Sequence, residues 1–316
     1  MKIIVTIPAF NEAANISEVI AEIPRQINGV DRVEVLVIDD GSTDRTVELA
    51  KQAGADYVLL NGVNKGLAYT FQRLIEEALQ RGADIIVNTD GDNHYNQSRI
   101  PELIAPILEK RADIVIGDRE VKKLEHMPAA NKYFNLIGSY CVSRMIGLKK
   151  TLDVSTGFRA YNREAAMRIS IFSKHTYTHE TLIQALDHSL AITQVPIRAR
   201  KVTRKSRLIS NIPKHLVKSL IVIFRVFTIY KPLRVLSTLG LLVFLPGFIL
   251  VLRFLYFYFF TVRGGEGHIQ SLIIAAIFIL LGFQIFILGL IASAIGWNRK
   301  MSEEILYRIK KESLKE

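Results

Sequence analysis

Ile3-Ile-Val-Thr-Ile-Pro-Ala-Phe-Asn-Glu12 and Val33-Glu-Val-Leu-Val-Ile-Asp-Asp-Gly-Ser-Thr-Asp44 have one construction: a short apolar run that stops abruptly in polar residues. Each run reads as a buried strand that ends in a turn. Between them, Glu12–Ile27 has helical spacing. After them, Ser42–Ala50 reads as a capped helix with acid in its first turn, followed by Gly54. The alternation continues with a strand at Tyr57–Leu60, a helix up to Gly82 and a strand at Ile85–Asn88. A helix over Pro101–Arg111 and a strand at Ile114–Gly117 complete it. Strands alternating with helices predict an α/β domain with a doubly wound, mostly parallel sheet. Ligands of such sheets bind beyond the carboxyl ends of the strands.

Those ends collect the polar residues: Pro8–Glu12, Asp39–Asp44, Asp90-Gly-Asp92 and Gly117-Asp-Arg119. Carboxylates that converge raise one another's pKa unless a cation joins them. Asp90 and Asp92, two apart around a glycine, can both reach one hard ion, and oxygen ligands favour Mg²⁺ or Mn²⁺. An isolated Asp-x-Asp is commonly just a turn; three further acidic strand ends favour a metal. No G-x-G-x-x-G follows the first strand and no G-x-x-x-x-G-K-[ST] occurs, which removes support for dinucleotide oxidoreductases and P-loop enzymes.

The chain has 316 residues, 49% hydrophobic and 22% charged, which excludes disorder, a coiled coil and a collagenous repeat. The single cysteine, Cys141, excludes an intramolecular disulfide framework and fits a reduced compartment. A mean hydropathy of +0.22 points to membrane segments, and the charge is divided accordingly. Residues 1–197 carry 22 Lys and Arg against 25 Asp and Glu, a net of −3; residues 198–316 carry 19 against 5, a net of +14. Two apolar runs of spanning length lie in the second part, at about 235–262 (interrupted by Arg253) and 269–297. A short polar turn, Arg263-Gly-Gly-Glu-Gly-His268, joins them into a predicted transmembrane hairpin (233–298). Basic residues before and after it place both termini on the cytoplasmic side of a cell membrane. Residues 208–232 read as an amphipathic interfacial helix, with Lys214, Lys218 and Arg225 against membrane lipids, or as a plain connector. Residues 299–316 form a basic tail. No targeting peptide is visible at Met1-Lys-Ile-Ile-Val-Thr-Ile.

Ile7-Pro-Ala-Phe-Asn-Glu12, Val37–Asp44, Asn64-Lys-Gly66, Asp90-Gly-Asp92 and Thr156-Gly-Phe158, in this order, resemble glycosyltransferase family 2, which has the Rossmann-like GT-A fold. The closer resemblance is to the polyprenyl-phosphate glycosyltransferases, the group that includes dolichol-phosphate mannose synthase. It covers about residues 1–210, and residues 1–207 are the predicted catalytic domain. The resemblance implies that Pro8, Phe10, Glu12, Asp39 and Asp40 line the donor nucleoside pocket, with Gly91 beside the diphosphate. Asp90 and Asp92 would hold the metal, with His94 where family members often carry Gln. An imidazole there would move preference toward Mn²⁺.

Arg119 matches an arginine facing donor and acceptor phosphates, and Lys132 and Asn135 fall near the acceptor phosphate. Lys201-Val-Thr-Arg-Lys-Ser-Arg207 stands where the family has Arg-x-x-Gly-x-Ser-Lys, so Lys201 and Arg207 are donor-side cations with their types exchanged, and Arg204 replaces the glycine. Glu180 lies where many members place a base. An acceptor phosphomonoester is largely an anion at neutral pH, so Glu180 is read as orienting the cluster or the sugar, or as a helix-start acid.

The expected activity is metal-dependent, inverting transfer of a sugar from a UDP- or GDP-linked donor to a dolichyl or undecaprenyl phosphate. A transferase acting on another membrane lipid, or a non-catalytic scaffold that retains the fold, are the alternatives. A processive polysaccharide synthase is disfavoured, because the only tryptophan is Trp297 and no Gln-x-x-Arg-Trp occurs. The juxtamembrane basic stretch fits anionic lipid and not nucleic acid. The hairpin also offers a contact surface for a homo-oligomer.

Overall fold

The computed structural model describes residues 1–121, 129–145, 148, 150–171, 177–197, 200, 224, 228, 231–260 and 269–314. The chain divides into two units, residues 1–212 with 303–316, and residues 213–302.

The first unit is built on seven strands: β1 (Lys2–Ala9), β2 (Arg32–Asp39), β3 (Tyr57–Leu60), β4 (Ile85–Asn88), β5 (Ile114–Asp118), β6 (Arg159–Asn162) and β7 (Ile192–Pro196). Their order in the sheet is β3-β2-β1-β4-β6-β5-β7. Among the described strands only β6 runs antiparallel, between β4 and β5. The helices are α1 (Ile16–Ala21), α2 (Thr46–Gln52), α3 (Leu67–Gln80), α4 (Ile100–Leu108), α5 (Ala129–Met145), α6 (Arg163–Arg168) and α7 (Thr178–Asp187). β1 lies inside the sheet, between β2 and β4, with both faces covered, so its run is apolar throughout instead of alternating. Ile3, Val5 and Ile7 face α1 and α4; Ile4 faces the opposite layer, with Phe71, Leu74 and Ile75 of α3. The chain winds from β1 out to β3 and returns to β4 on the other side of β1, so the carboxyl ends of β1 and β4 flank the switch point of the sheet.

The expected mostly parallel α/β sheet is present. Three helices are shorter than their spacing predicts; one, α4, ends at Leu108 instead of Arg111. α1 ends at Ala21, three residues before Pro24, which disfavours helix at the residue preceding it. α2 starts at Thr46 because Asp44 accepts from the Thr46 amide (3.0 Å) and holds 42–45 as a turn.

The second unit contains α8 (Pro232–Phe260) and most of α9 (Ile269–Ser313), both long and apolar enough to cross a membrane. Backbones meet at glycines. A Cβ on Gly240 would stand 2.8 Å from the Gly282 carbonyl oxygen, and one on Gly247 would stand 2.8 Å from that of Ala275. In a medium as apolar as the side chains, such close packing is what holds two helices together. The expected interfacial segment, 208–232, lies outside the described residues apart from Phe224, Thr228, Lys231 and Pro232. Residues 299–313, expected as a tail, continue α9 as helix. From Glu303 onward they belong to the first unit: Tyr307 Oη donates to Glu164 (2.8 Å), with the Arg168 guanidinium 4.0 Å from the Tyr307 ring centre.

Candidate active site

The loops after β1 and β2 are bound to each other by side chains taken from the two motifs. The Asn11 amide donates to Ser42 Oγ (2.8 Å), the Thr43 amide to Asn11 Oδ1 (2.9 Å) and the Glu12 amide to Thr46 Oγ1 (2.9 Å). Asn11 accepts a positive φ of 54°, which asparagine tolerates better than most residues.

Asp39 and Asp40 then divide their work. Both Asp40 oxygens accept from the next loop: Oδ1 from Asn61 Nδ2 (2.7 Å) and the Lys65 amide (2.9 Å), Oδ2 from the Gly66 amide (2.8 Å). This brings residue 64 against Gly41, where a Cβ would stand 2.8 Å from the Asn64 nitrogen. Asp39 Oδ2 accepts from the Gly41 and Ser42 amides (3.1 and 2.9 Å), whereas its Oδ1 is buried with no hydrogen-bond partner. A buried carboxylate oxygen without a donor is costly, and a ligand hydroxyl or amine would satisfy it. Of the two, Asp39 therefore keeps the capacity to bind a ligand, while Asp40 holds the loop. Phe10 is 36% exposed at the end of β1, and Pro8 is buried.

The β4 end carries Asp90-Gly-Asp92. A Cβ on Gly91 would be 3.4 Å from the Pro8 carbonyl oxygen and 3.5 Å from Glu12 Cγ, so the β1 and β4 ends touch. Asp90 is pushed up to about 7, first by burial and then by the Asp92 charge, while a hydrogen bond from Tyr95 opposes the rise. The Tyr95 ring stacks on Phe158 with centroids 5.3 Å apart, and its hydroxyl accepts from the Gly157 amide (3.0 Å). Gly157 itself lies against the carboxylate: a Cβ there would meet Asp90 Oδ2 at 2.8 Å. Asn88 Nδ2 holds the same turn through the Gly157 carbonyl (2.8 Å) and Tyr177 Oη (3.0 Å). The Thr-Gly-Phe motif thus packs beneath the Asp-Gly-Asp motif.

These residues fit a divalent cation. A buried carboxylate beside a second one is the donor set a hard ion satisfies, and Mg²⁺ commonly takes one or two carboxylates with the rest from phosphates and water. His94 Nδ1 is buried without a partner, and burial holds the ring below its usual pKa, in the neutral form a ligand needs. Among the described residues, however, no three His, Cys, Asp or Glu side chains converge as a ready-made cage. The Asp90, Asp92 and His94 trio is therefore not assembled here; the two aspartates stand as the pair.

Arg119, just past β5, forms a two-pronged pair with Asp153 (Nε to Oδ2 2.7 Å, Nη2 to Oδ1 2.8 Å) and also donates to Ser155 Oγ (2.5 Å). Asn135 Nδ2 donates to the same hydroxyl (2.8 Å), so Arg119 and Asn135 meet through Ser155. Burial alone would raise the Asp153 carboxyl, but the Arg119 hydrogen bonds and charge outweigh it and hold it low. Arg119 also acts on Asp90 electrostatically, so this cation lies within reach of the Asp90 carboxylate's field.

Lys132 lies half-buried on α5, one turn before Asn135. Glu180 is buried in the first turn of α7. That turn is held by Arg159, fully buried on β6, which donates to the Thr178 carbonyl (2.8 Å), Thr181 Oγ1 (2.7 Å) and the carbonyls of Val154 and Thr156 (2.9 and 3.0 Å). Lys201 and Arg207 lie outside the described residues. Arg200, just before them, donates to Asn93 Oδ1 (2.6 Å), and its amide donates to the His94 carbonyl (2.9 Å).

Asp153, Ser155, Tyr95, Arg159 and Arg200 were not legible as site residues. Gly157 and Phe158, which hold Asp90 and Tyr95, lay inside a quoted motif. Arg119 and Asp153 are 34 residues apart with no repeating pattern to link them.

The model of glycosyl transferase family 2 matches residues 4–170. A dolichyl-phosphate hexose transferase of Haloferax volcanii is 31% identical over 205 residues, 65% of this chain and 85% of the relative. An undecaprenyl-phosphate mannosyltransferase of Micrococcus luteus is 30% identical over 177 residues, 54% of this chain and 70% of the relative. Among solved structures, glucosyl-3-phosphoglycerate synthase of Mycobacterium tuberculosis, in complex with Mn²⁺, UDP-glucose and phosphoglyceric acid, superposes with a TM-score of 0.56. It is 23% identical, and the match covers 70% of this chain and 79% of that one, a likeness of fold.

Proposed function

The chain belongs to glycosyl transferase family 2, and we propose that it moves a sugar from a nucleoside-diphosphate donor to a polyprenyl phosphate at the cytoplasmic face of a cell membrane. The observation that carries this reading is the meeting, at one sheet edge, of the Asp90–Asp92 pair with Arg119, Ser155 and Asn135. One side suits a diphosphate bound through a metal; the other suits a second phosphate. The relatives named for dolichyl-phosphate and undecaprenyl-phosphate transfer support that choice of acceptor. The two apolar helices supply a means of holding the enzyme where such a lipid lies.

In this reading Asp39, Pro8, Phe10 and Glu12 receive the nucleoside, and Asp39 Oδ1 gains the donor it lacks. Asp90 and Asp92 would hold Mg²⁺ or Mn²⁺, which supplies Lewis-acid stabilisation of the departing diphosphate. Gly91 lets the β4 end lie against the β1 loop, and Lys201 and Arg207 would add positive charge on the donor side. Arg119, fixed by Asp153, draws the acceptor phosphate against the anomeric carbon, with Asn135 and Lys132 beside it. A phosphate oxygen forms the new bond as the bond to the diphosphate breaks, and the anomeric configuration inverts. The acceptor is already an anion, so the demand is to bring two negative groups together and not to remove a proton. Glu180 orients this cluster from α7.

The test is glycolipid formation by detergent-purified protein, given UDP- and GDP-sugars with undecaprenyl or dolichyl phosphate. A chloroform-soluble sugar product that forms with Mn²⁺ or Mg²⁺ and is lost with EDTA is expected. Its absence from every pairing, in protein shown to be folded, refutes the reading.

A further inference from the structure

Residues 93–97, between Asp92 and α4, are gripped from two distant parts of the chain. Arg200, four residues beyond β7, donates from Nη1 to Asn93 Oδ1 (2.6 Å), and its amide donates to the His94 carbonyl (2.9 Å). Glu22, at the carboxyl end of α1, accepts the Gln97 amide at Oε2 (3.1 Å). Its other oxygen, Oε1, pairs with Arg200 Nη2. One ion pair between residues 178 apart in sequence thus holds both ends of the loop. Within the loop Gln97 is fully buried, accepting from Thr89 Oγ1 (2.9 Å) and donating to the Tyr95 carbonyl (3.2 Å).

The grip reaches Asp92. The His94 amide donates to Asp92 Oδ1 (3.1 Å), so the residue that orients this carboxylate is the one whose carbonyl Arg200 holds. Asn93, between the two, has a φ of 58°, in the left-handed region, and its side chain is the second group that Arg200 binds. Such a backbone state persists where surrounding contacts fix it.

The ion pair itself adds little to folding. The Arg200 and Glu22 side chains are 33% and 24% exposed, and pairs open to water are weak contributors to stability. Its weight lies in geometry, because a cation held by two carboxylates depends on the contacts behind those ligands for their orientation. We propose that Arg200, locked by Glu22, is a positioning residue that sets Asp92 for the divalent cation. The proposal rests on the reading of Asp90 and Asp92 as the metal pair.

The experiment separates metal from nucleotide. The affinity of the full, detergent-purified chain for UDP and for GDP is measured by calorimetry with MnCl₂ and again with EDTA. The ratio of the two affinities is the contribution of the metal. Arg200→Met, which keeps the stem and removes every side-chain donor, should shrink that ratio about tenfold, a loss typical of removing a group behind a metal ligand. Affinity in EDTA should stay as it was. Glu22→Gln breaks the lock from the other side and should act alike, and the two together should lose no more than Arg200→Met alone. Arg25→Gln, which removes a comparably exposed pair with Asp56 away from the loop, should leave the ratio unchanged. A ratio that survives Arg200→Met overturns the proposal, including the case in which affinity falls equally with and without Mn²⁺, the mark of a merely structural role. If Mn²⁺ tightens neither nucleotide in the unaltered chain, the metal reading fails and takes the proposal with it; if only the positioning role fails, the ratio of the unaltered chain stands.

Discussion

At the sheet edge, Gly157 forgoes a side chain so that a carboxylate fits, with Asp90 Oδ2 2.8 Å from where a Cβ would stand. In the hairpin, Gly282 does so for a helix backbone, with the Gly240 carbonyl oxygen at the same distance. The spacing is equal but the surroundings are not. Around Gly157 every neighbour is fixed by a directional contact: Tyr95, Asn88 and Tyr177 hold the turn by hydrogen bonds and stacking. Around Gly282 the neighbours are the Gly240 carbonyl and Phe244, and contact is by shape alone. One region positions charge and the other only closes a gap. The same added methyl should therefore be read out as lost activity in the first and as lost helix association in the second.

The largest effect expected is at the charge that this positioning serves. Asp92→Asn should lower kcat/KM about 10³-fold with an unchanged unfolding midpoint, since charge stabilisation at the leaving group is lost while packing is kept. A variant that stays active would break the comparison at its root. Gly157→Ala should follow, at about 10²-fold in kcat, because displacing Asp90 by a fraction of an ångström misplaces the reacting groups. Gly282→Ala should leave glycolipid synthesis per folded molecule nearly unchanged. It should lower the stability of the helix pair by about 1–3 kcal/mol, measured by unfolding in detergent, the cost of overpacking a close contact.

Arg119→Lys, which keeps the charge but loses the two-pronged grip on Asp153, should raise the KM for the lipid acceptor about tenfold. The smallest effect concerns His179, held down to about 4 by burial and the Arg159 charge. The unfolded chain takes up this proton near pH 6.5 and the folded chain only near 4. Stability is thus lost as pH falls through that window, and His179→Asn should lose less than the unaltered chain between pH 7 and 5 in thermal unfolding.

The motifs that decide the fold were readable because each is a strand end where chain direction, turn chemistry and charge coincide within a few residues. Asp39, Asp40, Asp90 and Asp92 fall where expected, although nothing in the sequence separates the loop-holding Asp40 from Asp39. Two strands of the sheet, β6 and β7, were not readable. β6 is the four-residue Arg-Ala-Tyr-Asn, whose arginine is fully buried through four hydrogen bonds that polarity patterns cannot anticipate. α7 buries Thr178, Glu180, Thr181 and Gln184, polar residues that disguise its inward face. The Arg119–Asp153 pair joins loops that only tertiary structure brings together. In the hairpin, length and hydropathy gave the spans, while the sevenfold spacing of Ala275, Gly282 and Gly289 acquires meaning only once α8 lies against it.

The return of α9 to the first unit has a consequence for the architecture as a whole. Tyr307 is 7% exposed within the same apolar cluster as Phe71, Ile114 and Tyr161, with Leu314 packed against it. Residues 213–302 are therefore an insertion within the α/β unit and not an appendage to it. A chain cut at residue 212 would lose part of its own core along with its helices. A water-soluble catalytic unit is instead made by excision, joining residue 212 to residue 303 through a flexible linker, so that the segment carrying Tyr307 still closes the layer it completes.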